Sequence, residues 1–448
     1  MTDPDVDGVE EALALVGRHP AGPAVPDPPG HQDTPWERAR AVAARAGRGA
    51  APRTRRVGID QALGRILAEP LTALTDLPSF DTSAMDGWAV AGPGPWEIRA
   101  EEVLAGHGDV PALPDGVAVR IATGARVPAD TTAVIRSEHA HAEPGRADRA
   151  GTGQGVGHLY ARHEVVPGQD IRPRGQECRT GDELLPAATV VTPAVLGLAA
   201  AAGYDRLVTV EPPRVEVLVL GDELLTSGVP HDGLIRDALG PMLGPWLRTL
   251  GAEVTAVRRV GDDADALYEA VTGTEADLVV TTGGTAAGPV DHVHPVLRKA
   301  GAELLIDGVR VRPGHPMLLA RLTATRHLVG LPGNPLAAVS GLLTLAEPLL
   351  RGLGGRRAPE PYRVPVRDDV HGHPRDTRLV PVAHRDGHAV PLHYAGPAML
   401  RGLAAADGLA VVPPGGARPG DVLEVLDLPW TASASAPAPA PAPGGCFT

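Results

Sequence analysis

Arg214-Val-Glu-Val-Leu-Val-Leu-Gly-Asp-Glu-Leu224 decides the architecture of this 448-residue chain. The first seven residues are dominated by Val and Leu, the composition of a strand covered on both faces. The run stops at a glycine followed by two carboxylates. The same figure recurs downstream. Glu253–Val260 precedes Gly261-Asp-Asp263, residues 277–280 precede Thr281-Thr-Gly-Gly284, and residues 328–329 precede Leu331-Pro-Gly-Asn-Pro335. A helix is expected over roughly 239–250, and another opens at Pro335. Strands alternating with helices predict a parallel sheet, here a central doubly wound α/β domain over residues 211–355.

In such sheets ligands gather beyond the carboxyl ends of the strands. Asp222, Glu223, Asp262, Asp263, Gly283, Gly284, Asp291 and Asn334 are therefore expected on one rim. Gly283-Gly284 lets backbone amides approach a phosphate with no Cβ in the way. Asn334 as a cap, with Pro335 in the first turn, would aim further N–H groups at the same place. Carboxylates there suit Mg²⁺, a hard cation that bridges substrate phosphates. Taken singly, each residue reads as a cap or a turn residue. Their convergence favours an anion-plus-metal site. Gly-Asp-Glu-Leu-Leu also occurs at 181–185, with no strand before it, and reads there as a plain turn. His292 and His294 are two apart at a helix start and do not share a face. His371 and His373 lack a third ligand, so neither pair is assigned a metal.

Around this centre the chain divides into further blocks. Its length exceeds one core at roughly 100–200 residues per domain. Residues 33–76 and 168–210 form a discontinuous helical linker domain, with helices expected from about Thr34 to Ala46, over 60–67 and near 193–202. Residues 77–167 are short strands broken by Gly and Pro, an inserted β-rich domain. Residues 356–430 return to short strands as a small C-terminal β domain. Residues 1–32 read as a disordered extension, and 431–448 as a disordered Ala/Pro tail. The chain is thus α/β and multidomain. A net charge of −13 argues against non-specific nucleic-acid binding, so an anionic ligand must be held against the overall field. Lys299 is the only lysine, so cationic positions fall to Arg or His. Two cysteines without a CxxC spacing fit a reducing cytoplasm. No apolar run is expected to reach the roughly 18 residues of a membrane span.

The densest polar segment is Leu77-Pro-Ser-Phe-Asp-Thr-Ser-Ala-Met-Asp-Gly-Trp-Ala-Val90. It shows neither helical nor strand period, and its Asp and Ser side chains could simply bond their own turn. The segment resembles the signature of the molybdenum insertases, the family of the bacterial MoeA proteins and the gephyrin E domain, whose usual form is LPxFDNSAMDGYAV. Here Thr82 stands for Asn and Trp88 for Tyr. The resemblance continues. Arg120–Pro128 is similar to IxTGAxxP, with Thr123 on its threonine. Residues 170–177 resemble NIRxxGED, with Arg172 on its arginine and Glu177 for its Asp. Gly221-Asp-Glu-Leu224 matches GDEL, and Ile235-Arg-Asp237 opens IRDSN, with Ala238 and Leu239 replacing Ser and Asn. Gly283 to Asp291 resembles GGVSVGxxD, with Ala286 for the serine. Arg312-Pro-Gly-His-Pro316 resembles KPGKP, and Leu331-Pro-Gly-Asn-Pro335 matches LPGNP.

The resemblance implies the last step of molybdenum cofactor synthesis, in which adenylylated molybdopterin takes up molybdenum from molybdate and AMP leaves. It implies Asp291, Glu223, Asp81 and Thr123 as catalytic residues. It implies Gly283, Gly284, Thr285, Arg312, His315, Pro332, Gly333, Asn334, Arg172 and Ser83 as substrate-binding, and Asp237, Asp291 and Glu223 as holding Mg²⁺. It also implies a homodimer whose site lies between the α/β domain of one subunit and the 77–167 domain of the other. The molybdopterin adenylyltransferase is a further candidate partner, and neither nucleic acid nor membrane is expected. Retention of Asp81, Thr123, Glu223 and Asp291 favours an enzyme. The departures at Arg312, His315, Ala286 and in Ala395-Gly-Pro-Ala-Met-Leu-Arg-Gly-Leu-Ala404, where QGSGMLSSLA is usual, favour the alternative of a non-catalytic molybdopterin-binding or scaffold protein.

Overall fold

The computed structural model describes residues 33–106, 111–144, 157–286 and 291–430. The two terminal segments expected to be disordered lie outside the described residues. We number the elements of the central domain β1 (Arg214–Leu220), β2 (Glu253–Val260), β3 (Leu278–Thr282), β4 (Glu303–Asp307), β5 (Leu318–Arg321) and β6 (His327–Leu331), with helices α1 (Leu239–Thr249), α2 (Ala264–Gly273), α3 (Val293–Lys299) and α4 (Pro335–Gly341). The sheet order is β2-β1-β3-β6-β5-β4. β2, β1, β3 and β6 are parallel, while β5 and β4 run antiparallel at one edge.

Alternation along β1 explains the two covered faces. Val215, Val217 and Val219 pack with α1 and α4 in one core, and Leu218 packs with α2 and α3 in the other. The sheet is therefore doubly wound. The chain steps from β1 to β2 on one side, then to β3 on the other. That reversal opens a crevice at the carboxyl ends of β1 and β3. Helical backbone continues from α4 to Leu353, a stretch of 19 residues apolar enough to cross a membrane by composition. Its residues are mostly buried inside the protein, so it reads as the core helix of the domain.

The first helix is Trp36–Gly47. Thr34–Pro35 is not its capped first turn but a short strand beside Val309–Arg312, and no side chain caps the helix. The helix packs in the central core rather than with the linker strands: Trp36 Nε1 donates to Thr344 Oγ1 at 3.1 Å. In the linker, Arg206–Val210 pairs with Thr54–Gly58 and with Ile66–Leu67. The helix expected over 60–67 is thus a single 3₁₀ turn, Ile59–Gln61, followed by a strand. Gly64, at φ +75°, breaks the helix, and Ile66 and Leu67 gain burial and a strand partner instead. The 181–185 copy of Gly-Asp-Glu-Leu-Leu turns at Gly181 and then forms strand Glu183–Leu185 against Leu71–Thr72, so it is more than a turn.

Residues 87–161 hold a six-stranded sheet that includes Gly87–Val90 and Val117–Ile121. The C-terminal strands join a seven-stranded sheet, and Val309–Arg312 leaves the central domain to pair with Thr377–Arg385 in it.

Candidate active site

A cleft of about 760 Å³ lies at the carboxyl ends of β1, β3 and β6. Glu223, Asp237, Gly283, Gly284, Thr285, Asp291, Pro332, Gly333 and Asn334 all line it. Residues as far apart in sequence as Glu223 and Asn334 thus meet on one rim because the segments that carry them follow parallel strands. Asp262, Arg236 and His292 line it as well. Two members of the expected rim do other work. Asp263 caps α2, accepting from the N–H groups of Asp265 and Ala266 at 2.8 and 2.9 Å, and these bonds hold its carboxyl below the usual carboxylate range. Asp222 Oδ2 accepts the N–H of Asp262 at 3.4 Å.

Local backbone positions the acids. Gly221 has φ +123°, and a Cβ there would stand 2.3 Å from Glu223 Oε2, so only glycine leaves room for that carboxylate to fold back over the turn. Asp237 Oδ1 accepts the N–H groups of Leu239 and Gly240 at 3.0 and 2.9 Å, which anchors the acid at the start of α1. Gly283 and Gly284 both have positive φ, but Gly283 N–H donates to Leu331 O at 2.8 Å. That amide locks the loop to β6 rather than facing a ligand.

Asn334 occupies the cap position of α4 without a side-chain cap bond. The N–H groups of Leu336 and Ala337 donate instead to Pro397 O, at 2.9 and 3.2 Å. The free amides expected at this helix start are therefore taken by a carbonyl of the C-terminal domain. Ala398 and Leu400 from the same segment wall the cleft. Sequence reasoning missed this segment as a wall. Its signal was the resemblance of 395–404 to a family motif, without a residue type that declares chemistry.

Arg312 and His315 stand outside the cleft lining. Arg312 Nε donates to Asp376 Oδ2 at 2.8 Å, and Asp376 is buried. His315 Nδ1 lies 3.1 Å from Val309 O, and its Nε2 lies 3.7 Å from Asp33 Oδ1. Both side chains thus join the central domain to its neighbours.

Asp81, Ser83 and Thr123 gather separately, on the inserted domain, and Arg172 joins them from the linker. Arg172 pairs with Thr82 across a two-residue strand pair, and Asp81 Oδ1 accepts Arg174 N–H at 2.6 Å. Asp86 Oδ1 accepts Thr123 N–H at 2.7 Å, a bond that lowers the Asp86 pKa. Asp81, Thr123 and Arg172 are exposed, whereas Ser83 is fully buried and donates to Met85 O at 2.6 Å. Ser83 therefore holds its own turn. Arg126 stacks over Phe80 and Arg120 over Trp88, at 5.8 and 5.9 Å from the ring centroids.

Among the described residues no three His, Cys, Asp or Glu side chains close into a metal cage. Glu223, Asp237 and Asp291 are instead hard oxygen donors spread around one open cleft. That suits Mg²⁺, which keeps water and takes one or two carboxylates together with substrate phosphates.

Comparison with known proteins agrees with this layout. Residues 34–203 match the MoeA N-terminal region (domain I and II). Residues 216–352 match the "Probable molybdopterin binding domain", and 363–428 the MoeA C-terminal region (domain IV). A relative from Mycobacterium tuberculosis, molybdopterin molybdenumtransferase 2, is 35% identical over 82% of this chain and 92% of its own length. The molybdopterin molybdenumtransferase of a Nostoc species is 32% identical over 79% of this chain and 83% of its own. The crystal structure of a molybdopterin biosynthesis MoeA protein from Pyrococcus horikosii superposes with a TM-score of 0.73 at 25% identity, covering 89% of this chain and 99% of that one. With its three regions matched in order and such relatives spanning four-fifths of it, the chain belongs to the MoeA family.

Proposed function

We propose that the protein is a transferase that inserts molybdenum from molybdate into adenylylated molybdopterin and releases AMP, the final step of molybdenum cofactor synthesis. One observation carries the reading: Glu223, Asp237 and Asp291 surround a Gly-Gly loop in a cleft at the strand switch point of the central sheet. The relatives' names supply the reaction, and the cleft supplies groups suited to it. Glu223 and Asp291 face the phosphoanhydride, and Gly283, Gly284 and Gly333 let the substrate approach the backbone. Thr285 and Pro332 shape the floor. Glu223, Asp237 and Asp291 would hold Mg²⁺, which supplies charge neutralisation for the phosphates.

The cleft presents four carboxylates, Glu223, Asp237, Asp262 and Asp291, against one guanidinium, Arg236. A polyanionic substrate needs more positive charge than that. The exposed surface around Asp81 and Thr123 carries three arginines, Arg126, Arg172 and Arg174, and none of these residues lines the cleft of the same chain. We therefore assign the working unit as a homodimer in which the partner's inserted domain closes the site. A cytoplasmic location, and exchange of substrate with the adenylyltransferase that makes it, belong to the same proposal.

The test mixes purified protein with adenylylated molybdopterin, Mg²⁺ and molybdate and measures AMP. Release by the wild type, lost in the near-isosteric Asp291→Asn with a melting temperature within a few degrees, is the expected result. No AMP from the wild type would leave the non-catalytic binding protein in its place.

A further inference from the structure

Asp291 stands just before a short helix whose first turn is closed by Val296 N–H donating to His292 O at 3.0 Å. α3 has seven residues, and His292 at its cap makes no side-chain cap bond. Two side-chain contacts tie its start to the rest of the domain. Val293 packs beneath the glycine loop, since a Cβ on Gly284 would lie 3.1 Å from Val293 Cγ2. One residue on, His294 Nε2 lies 2.8 Å from Asp307 Oδ1. Asp307 ends β4 opposite Leu318, and Leu318 pairs with Gly330 near the end of β6, so the pair sits at the same rim as the cleft. Neither His294 nor Asp307 lines the cleft itself. Both are about one-quarter exposed, at 25% and 24%, so water competes only in part for their bond.

The two contacts differ in kind. Packing of Val293 is non-directional and lets the turn roll, whereas a hydrogen bond fixes direction. Asp291 precedes the capping residue of α3 and His294 is the helix's second residue, so only two residues of chain separate them. Holding His294 therefore fixes the first turn of α3 and limits where the short segment leading back to Asp291 can go. Asp307 draws the His294 pKa above its ordinary value, opposed by burial and assisted by the more distant Asp291.

We propose that the His294–Asp307 hydrogen bond is a positioning device for the reaction, clamping the first turn of α3 to β4 so that the Asp291 carboxylate faces the cleft. This inference rests on the reading of Asp291 as a catalytic group. His294 acts through Asp291 and touches no substrate.

The experiment measures kcat and KM for AMP release in the wild type, His294→Leu, His294→Gln, Asp307→Ala and the double variant His294→Leu/Asp307→Ala. It also measures amide hydrogen exchange at the non-proline residues of 291–299. His294→Leu and Asp307→Ala should each lower kcat by about tenfold, with KM within about twofold. The double variant should be no worse than either single one, because both remove the same bond. His294→Gln can still donate an N–H to Asp307 and should keep kcat within about threefold of wild type. Exchange at Val296, whose N–H donates to His292 O at 3.0 Å, should quicken in His294→Leu while β1 and β3 stay protected. Unchanged kcat in His294→Leu, a change confined to KM, additive losses in the double variant or unaltered exchange would each overturn the clamp. If the wild type released no AMP, the assigned activity would fall, and the clamp would stand or fall on the exchange measurement.

Discussion

Glu223 owes its place in the cleft to an atom that Gly221 lacks. A methyl group at Gly221 would meet the carboxylate at 2.3 Å on a backbone with φ +123°. Gly221→Ala should therefore strain the turn by about 1–3 kcal/mol and displace Glu223. The measurable result is a lower melting temperature together with AMP release reduced by at least about tenfold. His294 yields a second prediction through its raised pKa. A group whose folded pKa exceeds its unfolded value adds stability that is fully present below the unfolded pKa, near 6.5, and is lost as pH rises through the folded pKa. The stability difference between wild type and His294→Gln should accordingly shrink from pH 6 upward. Denaturant titrations at several pH values read it directly, and a difference that grows with pH would contradict the pairing with Asp307. Arg312 shows where single residues stop being legible. Its cationic type was plain in the sequence, but its partner Asp376 lies 64 positions on, in another domain. Arg312→Ala leaves a buried carboxylate with one partner fewer. Because the arginine is 41% exposed, the loss should be only about 1–2 kcal/mol.

The central strands were legible because burial on both faces leaves uninterrupted Val and Leu runs, and the glycines and acids after them marked the rim. Elements chosen by distant partners were not legible. Residues 66–67 form a strand because Thr209 and Val210 offer an edge to pair with, and no local pattern announces an edge so far away. The start of α4 looked like an anion site from Asn334 and Pro335 alone, yet Pro397 fills it from the C-terminal domain. The first helix has a similar dependence. It approaches the helix Glu347–Leu353 so closely that a Cβ on Gly47 would stand 2.2 Å from Leu349 O and 3.1 Å from Gly352 Cα. Both neighbours are backbone and cannot swing aside. Gly47→Ala should therefore force the helices apart and cost about 1–3 kcal/mol or more. Thermal unfolding checks it: an unchanged midpoint would mean that this packing is looser than the contact implies.

At the scale of the whole molecule, the distribution of charge is what sets apart the two halves of the proposed site. The chain carries a net charge of −13, and its cleft repeats that sign with four carboxylates around the glycine loop. The exposed arginines Arg126, Arg172 and Arg174, beside Asp81 and Thr123, sit outside the central domain and stay out of that cleft within one chain. A two-fold dimer would make two equivalent sites, each built from the cleft of one subunit and the inserted domain of the other. Complementation then has a definite arithmetic. An Asp81→Ala chain keeps a sound cleft, and an Asp291→Ala chain keeps a sound inserted domain. Their heterodimer has one site with both parts intact and one with both damaged. If subunits exchange at random, about half the dimers are mixed, and each mixed dimer holds one good site of two. A mixture of two inactive proteins should therefore recover about one quarter of the wild-type rate of AMP release. The recovery should follow the time course of subunit exchange, read by mixing differently labelled chains. A site contained within one chain predicts no recovery at any ratio, and inactive mixtures after demonstrated exchange would establish that arrangement instead.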